Sequence, residues 1–202
     1  MKIQTVQTVR KLVLVVGIGI GAFLFAVTAS TYPGGGRTHE LIEWFGVVLI
    51  VMCILGRTWA SLYIGGRKIE ELVQTGPYSI TRNPLYLFSF FGAAGVGAQH
   101  GSITLAALCA GIVVGVFYVV VRQEERVMSE RYGSLFRNYL ARVPRFIPNP
   151  WLWRDEPTLT ARPPLILRTF GDALLFLLAV PAAEFSEYLQ DVGVLPVLLR
   201  LP

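Results

Sequence analysis

Two short stretches of this chain carry residues whose types and spacing can do chemistry. The first is Gly76-Pro77-Tyr78-Ser79-Ile80-Thr81-Arg82-Asn83-Pro84-Leu85-Tyr86, in which a Gly-Pro turn, aromatics and an arginine stand directly before an apolar run. Pro84 suits the first turn of a helix, because the N–H it lacks would have no intrahelical acceptor there. The start of that helix leaves unpaired N–H donors and a partial positive charge, which together can hold a carboxylate or a phosphate. Arg82 lies to one side of this end, and Tyr86 lies about one turn inside it. Taken singly, the same residues also make an ordinary helix entry, with an arginine anchor and an interfacial tyrosine.

The second stretch, Val121-Arg122-Gln123-Glu124-Glu125-Arg126, follows another apolar run, and Glu124 stands 38 residues beyond Tyr86. Adjacent glutamates on a helix differ by about 100° in direction, so one is expected to face the bundle and the other water. An acid facing the bundle at membrane depth is costly unless it binds something polar. The plainer alternative is a solvated face laced with weak Glu–Arg pairs.

The elements that must position these clusters are membrane helices. The chain is 53% hydrophobic and 15% charged, with a mean hydropathy of +0.56, far from an average soluble domain. Residues 12–30, 41–55 (with a continuation towards 64), 85–98, 103–121 and 165–183 approach the roughly 20 apolar residues that cross a bilayer. The fold class read from this is all-α, a polytopic helical bundle of about five spans. Spans three and four form a hairpin joined by Gln99-His100-Gly101-Ser102. Residues 12–30 also fit a secretory signal, since Lys2, Arg10 and Lys11 precede them, but a removable first helix suits so short a polytopic chain poorly. With the N-terminus inside, 16 of the 18 lysines and arginines fall on the inner face, and only Arg37 and Arg200 on the outer. Both chemical clusters then lie on the cytoplasmic side of what is expected to be an inner membrane.

Topology and anionic headgroups account for the net charge of +5, and no aromatic-basic module for nucleic acid is present. Cys53 and Cys109 fall inside spans without metal-ligand spacing and read as packing residues, which leaves no disulfide framework. His39 and His100 fall in separate outer loops, so no metal site is expected. Gly17-Ile18-Gly19-Ile20-Gly21 and Gly95-Val96-Gly97 look like fragments of a dinucleotide fingerprint, but neither follows a strand. Both read as sites of close helix approach.

Thr75-Gly76-Pro77-Tyr78, Arg82-Asn83-Pro84-Leu85-Tyr86, Glu124-Glu125, Tyr132-Gly133, Tyr139 and Pro144-Arg145-Phe146-Ile147-Pro148 together resemble the isoprenylcysteine carboxyl methyltransferase family. The similarity starts upstream at Gly56-Arg57-Thr58-Trp59-Ala60 and covers about residues 45–150. It divides the chain into a first span and outer loop (1–40), a methyltransferase-like membrane core (41–150) and a C-terminal extension with a further span (151–202). The resemblance implies a membrane-embedded enzyme using S-adenosylmethionine in a cytoplasm-facing pocket, without a Rossmann domain. A lipophilic or prenylated acceptor would reach that pocket from the bilayer. Carried over by position, the cofactor contacts would come from Glu70, Glu71, Leu72, Val73 and Tyr78, then from Asn83, Pro84, Leu85, Tyr86 and Glu124. Arg82 is added on charge grounds as a partner for the cofactor carboxylate.

Two departures from the family pattern bear on the reaction. Asn83 stands where the family usually has histidine, and asparagine hydrogen-bonds but does not titrate. A family arginine linked to the acceptor corresponds to Val120, which leaves nearby Arg122 as the candidate catalytic cation. An acceptor carboxylate needs no general base, and none is evident. The other readings are N-methylation of a phospholipid amine, reduction with NADPH as in similar membrane sterol reductases, and a non-catalytic scaffold whose motifs only shape helix ends.

Overall fold

In the computed structural model, residues 15–17, 19–65 and 71–202 are described. A short apolar helix, α1 (Val15–Val27), leads into a three-residue strand, β1 (Thr28–Ser30). The helices α2 (Arg37–Ile64), α3 (Pro77–Ile80), α4 (Pro84–Ala98) and α5 (Ile103–Arg142) follow. The chain ends in α6 (Pro163–Leu174), α7 (Ala179–Asp191) and β2 (Leu199–Leu201). A 3-10 turn, Leu175–Leu178, joins α6 to α7, so that Pro163–Asp191 is one broken span. Among the described residues, three helices are long and apolar enough to cross a membrane, and α1 and α4 are shorter apolar ones.

Over the described residues, each of the five expected apolar segments is mainly helical, within a mostly helical fold that carries one small sheet. Its strands β1 and β2 run parallel, with Thr28 opposite Leu199 and Ser30 opposite Leu201. The first expected span ends at Val27 rather than at Ser30, because the last three residues pair with the C-terminal strand. The expected span 103–121 continues as helix through the charged cluster to Arg142, with one break at Gly133 (φ +52°, ψ −120°).

The helix α2 shows why the bundle holds together inside a bilayer. Its buried positions Ile42, Gly46, Ile50, Cys53, Gly56 and Ala60 recur every three or four residues. Its exposed positions Leu41, Trp44, Phe45, Val48, Val51, Met52 and Leu55 are equally apolar and follow the same period. Sorting between inside and outside therefore rests on residue size rather than on hydrophobicity, as expected where the surrounding solvent is lipid. A Cβ on Gly95 would lie 2.6 Å from the carbonyl oxygen of Gly46, so the backbones of α2 and α4 meet at this pair. Gly95 and Gly97 thus serve close approach as read from the sequence, whereas Gly19 and Gly21 have no neighbour within 4 Å of an added Cβ. Cys53 and Cys109 are free and buried. The C-terminal extension closes the bundle, with Ala173, Ala179 and Phe176 packing on Ile50, Ile54 and Val96.

Candidate active site

Where α4 begins, the chain between Tyr63 and Asp155 folds into a scaffold for polar groups. Gly76 takes φ +57°, and a Cβ there would lie 2.1 Å from the ring of Tyr63, so both its conformation and its surroundings require glycine. Pro77 opens α3 and Pro84 opens α4, as the turn pattern predicts. The segment after α5 returns over both. The backbone N–H of Arg82 donates to the Pro144 carbonyl at 2.9 Å, and the Asn83 side-chain amide donates to the Arg145 carbonyl at 3.1 Å. Thr81 reaches the carbonyls of Arg145 and Phe146 at 3.2 Å each. The Gly76 N–H donates to the Arg154 carbonyl at 2.7 Å. The Tyr139 hydroxyl donates to the Tyr78 carbonyl at 2.8 Å, which ties the end of α5 to α3.

Two carboxylates with different partners sit within this scaffold. The Tyr86 hydroxyl donates to Oε1 of Glu124 at 3.1 Å, joining α4 to α5, and the Tyr86 ring stacks on Phe117 at 4.3 Å. Glu125 is clamped between two arginines. Nη1 of Arg82 donates to its Oε1 at 2.7 Å, and Arg145 grips both oxygens at 3.2 and 2.7 Å. The Arg82 guanidinium also donates to the Val143 carbonyl at 2.6 Å. These hydrogen bonds to Glu125 raise the Arg145 guanidinium above its already high ordinary value. The expectation that one glutamate of the pair faces water is therefore corrected: neither is classed as exposed, because both find partners on opposite sides of α5. Arg82, expected to meet a cofactor carboxylate, is largely committed to Glu125 and to the backbone.

Beside Tyr86 lies a patch of unmet polarity. Tyr78 is only 5% exposed, and among the described residues its hydroxyl has no hydrogen-bond partner. Burial, reinforced by Tyr139, Tyr86 and Glu124, pushes its phenol well above the ordinary range, so the hydroxyl stays protonated and able to donate. Arg57, from α2, donates through Nη1 to the Ser89 hydroxyl one turn beyond Tyr86, while its buried Nε has no partner among the described residues. Oε1 of Gln123 is in the same condition on α5. Buried polar atoms left unpaired are costly, and those of Tyr78 and Arg57, near enough for the Arg57 charge to act on the Tyr78 phenol, point to a polar ligand.

The other expected residues divide. Glu71 is exposed, Leu72 packs against Phe136, Tyr139 and Val143, and Val73 and Leu85 are half-buried. Glu70 lies outside the described residues. Arg122 is exposed, donates to the Tyr118 hydroxyl at 3.1 Å and lies 5.6 Å from that ring centre. Arg145 flanks the same ring at 5.7 Å. Val120, at the position of the family arginine, is buried. Arg57 was missed as a site residue although a signal existed, since an arginine well inside an apolar helix is a functional residue by default. Arg145 stood within the quoted motif Pro144-Arg145-Phe146-Ile147-Pro148, but nothing local showed that it would clamp Glu125.

The ordered motifs and this geometry agree with what comparison of the sequence finds. A family model described as Phospholipid methyltransferase matches residues 41–134. The Nickel-cobalt-cadmium resistance protein NccN of Alcaligenes xylosoxydans xylosoxydans is 37% identical over 157 residues, covering 78% of this chain and 73% of that one. The chain belongs to the phospholipid methyltransferase family. This is a membrane-embedded methyltransferase family of the isoprenylcysteine carboxyl methyltransferase type. The Cobalt-zinc-cadmium resistance protein CzcN of Cupriavidus metallidurans is 33% identical over 167 residues, covering 83% of this chain and 77% of that one. No solved structure matches the chain.

The residues present suit the family's cofactor on the structure's own terms. Tyr78 offers a protonated hydroxyl, Arg57 a cationic N–H, Gln123 an amide oxygen, and Glu124 a carboxylate already oriented by Tyr86. Those groups complement the carboxylate, ammonium and ribose hydroxyls of S-adenosylmethionine.

Proposed function

We propose that this membrane methyltransferase takes its methyl group from S-adenosylmethionine and delivers it to the carboxylate of a lipophilic acceptor of the prenylated-cysteine kind. The observation that supports this most directly is the Tyr86–Glu124 link between α4 and α5, set beside the buried, unmet groups of Tyr78 and Arg57. Bound there, the cofactor would supply an already activated methyl on its sulfonium, so the protein's work is alignment and exclusion of water. Glu124, Tyr78 and Arg57 would hold the polar ends of the ligand. Phe117, Phe90 and Phe146 form an aromatic wall behind Tyr86, with Phe90 5.4 Å from Phe146 and 6.2 Å from Phe117. Arg122 and Arg145, on either side of Tyr118, would receive an anionic acceptor on the same side of the membrane. That side is the cytoplasm on the charge distribution, in a bacterial-type inner membrane.

The description of the matching family favours a second reading, methylation of a phospholipid amine. An ammonium acceptor must lose a proton before it reacts, and Glu124 is the carboxylate available at this site. The relatives' names connect those proteins with resistance to nickel, cobalt, zinc and cadmium. We therefore place the reaction in the same setting, acting on a membrane component of such a resistance system.

Calorimetric titration of the purified protein in detergent tests the cofactor. Binding of S-adenosylmethionine and its demethylated product, without binding of NADPH, is the expected result. Binding of NADPH alone would point to a reductase, and binding of none to a scaffold. A methylation assay that offers a prenylated cysteine and phosphatidylethanolamine side by side then separates the two acceptor classes.

A further inference from the structure

At the other end of α4, about 22 Å from Pro84 by its 15 residues at roughly 1.5 Å each, four ionisable side chains converge. His39 and Glu43 lie one turn apart at the start of α2, His100 lies in the turn between α4 and α5, and Glu187 comes from α7. His39 and His100 are 4% and 1% exposed. Nε2 of His100 is 3.0 Å from the carbonyl oxygens of both Phe25 and Thr28. Carbonyls only accept, so Nε2 carries the proton and Nδ1 of the neutral ring presents a lone pair. That Nδ1 is buried, has no hydrogen-bond partner among the described residues and lies 3.6 Å from Oε1 of Glu187, another acceptor. His39 repeats the arrangement. Its Nδ1 faces the Tyr32 carbonyl at 3.4 Å, and its Nε2 lies 3.2 Å from Oε1 of Glu43 and 3.6 Å from Oε1 of Glu187.

The two imidazoles are buried and the Glu43 and Glu187 side chains are 33% and 34% exposed, and acceptors converging at such a half-sheltered place call for a positive charge among them. We propose that His39, Glu43 and Glu187, whose ligand atoms all lie within 4.8 Å of one another, form a binding site for one divalent transition-metal ion of the zinc, cobalt or nickel class, with His100 beside Glu187. Nitrogen and carboxylate donors suit these ions. Bonds of about 2.0–2.2 Å place tetrahedral donor atoms about 3.3–3.6 Å apart. The His39–Glu43 and His39–Glu187 separations of 3.2 and 3.6 Å lie within about 0.1 Å of that range. Each histidine has its other ring nitrogen held by a backbone carbonyl, the arrangement that orients metal-binding imidazoles. The rings are fixed as well: His100 stacks on Phe25 at 4.6 Å, and a Cβ on Gly101 would lie 2.3 Å from Nδ1 of His39.

This site is independent of the methyl-transfer reading. It lies at the opposite end of the bundle, and His39 and Glu187 fall outside the residues that the family model matches. With the active site facing the cytoplasm, this one faces the other compartment. It gives the C-terminal extension a task, because Glu187 joins α7 to α2 and to the turn between α4 and α5.

The test uses the full-length protein in detergent, stripped with a chelator and titrated with Co2+ and Zn2+. The expected result is one equivalent of Co2+ with the visible absorption of a tetrahedral site, displaced by Zn2+, and a rise in melting temperature with either ion. Glu187→Gln and His39→Asn should each weaken Co2+ binding at least tenfold, while exposed Glu184→Gln should leave it unchanged. Melting curves without metal identify any variant that fails to fold, and Glu43→Gln then takes its place. Either an absence of stoichiometric binding, or binding that Glu187→Gln and Glu43→Gln leave intact, overturns the proposal. Stabilisation by acid alone, without metal binding, would show that a shared proton holds the cluster and would also overturn it.

Discussion

Tyr78 and Glu125 sit in the same scaffold, yet one ends in an unmet hydroxyl and the other in three hydrogen bonds to two arginines. That contrast separates ligand binding from structure at the level of single atoms. Tyr78→Phe removes an atom that stabilises nothing in the described protein. It is therefore expected to leave the melting temperature unchanged or slightly raised while weakening S-adenosylmethionine about tenfold, near 1.4 kcal/mol. Calorimetry and a melting curve on the same sample check both halves. Glu125→Ala should do the reverse. The Glu125 side chain is 14% exposed, and its loss strands Arg82, at 15%, which costs about 3 kcal/mol of stability. A melting temperature close to wild type would remove Glu125 from the structural role assigned here. Arg122→Ala is expected to lower turnover several-fold with cofactor affinity unchanged, since Arg122 is exposed beside Tyr118 and away from the Tyr86–Glu124 link. Comparing kcat with the calorimetric Kd decides that point.

The elements owe their placement to a few interruptions in otherwise apolar helices. Gly76 and Gly133 have almost the same backbone, φ +57° with ψ −135° and φ +52° with ψ −120°. Their surroundings differ sharply. An added Cβ meets the Tyr63 ring at Gly76 and nothing within 4 Å at Gly133. Gly133→Ala therefore carries only the backbone strain, about 1–3 kcal/mol. Gly76→Ala adds a collision that would displace Tyr63 from Asp155 or α3 from α2. The expected outcome is a clearly larger fall in melting temperature for Gly76→Ala, with cofactor binding lost alongside. Equal falls would mean that Tyr63 can yield at no cost. The break at Gly133 has its own use, since beyond it Phe136, Tyr139 and Val143 pack on Leu72 and hold the end of α5 against the turn before α3.

For the whole molecule, the apolar outer face of α2 and the 16-to-2 division of basic residues make one claim about orientation. Trp151 is 94% exposed near the candidate active site, and Val194 is 66% exposed at the opposite end. Both native cysteines are buried, so single-cysteine labelling has a quiet background. Val194→Cys is expected to react with an impermeant maleimide on intact cells. Trp151→Cys should react only after the membrane is opened. The reverse pattern would turn the protein over and place the methyl-transfer chemistry outside.

The sequence by itself determined the membrane class, the five apolar segments, the turn at Gly76-Pro77 and the helix entry at Pro84. Each of these depends on local propensities or on runs of apolar residues that any nearby window contains. It also brought Tyr86 and Glu124 onto one short list through the ordered motifs, and the fold joins them. Tertiary structure alone decided which partner each polar side chain keeps. Arg82 reads as an anion-binding arginine until Glu125 and Val143, from elsewhere in the chain, claim its guanidinium. Arg57 becomes part of the site only because α2 crosses α4 closely enough to reach Ser89. His39 and His100 read as isolated outer-loop residues 61 positions apart, but His39 stands in the first turn of α2, where Gly101 lets its ring approach. Glu187 meets both histidines only because α7 returns to the same end of the bundle. Apolar periodicity shows that helices pack, but it carries almost no information about which charged residues their crossings will bring face to face.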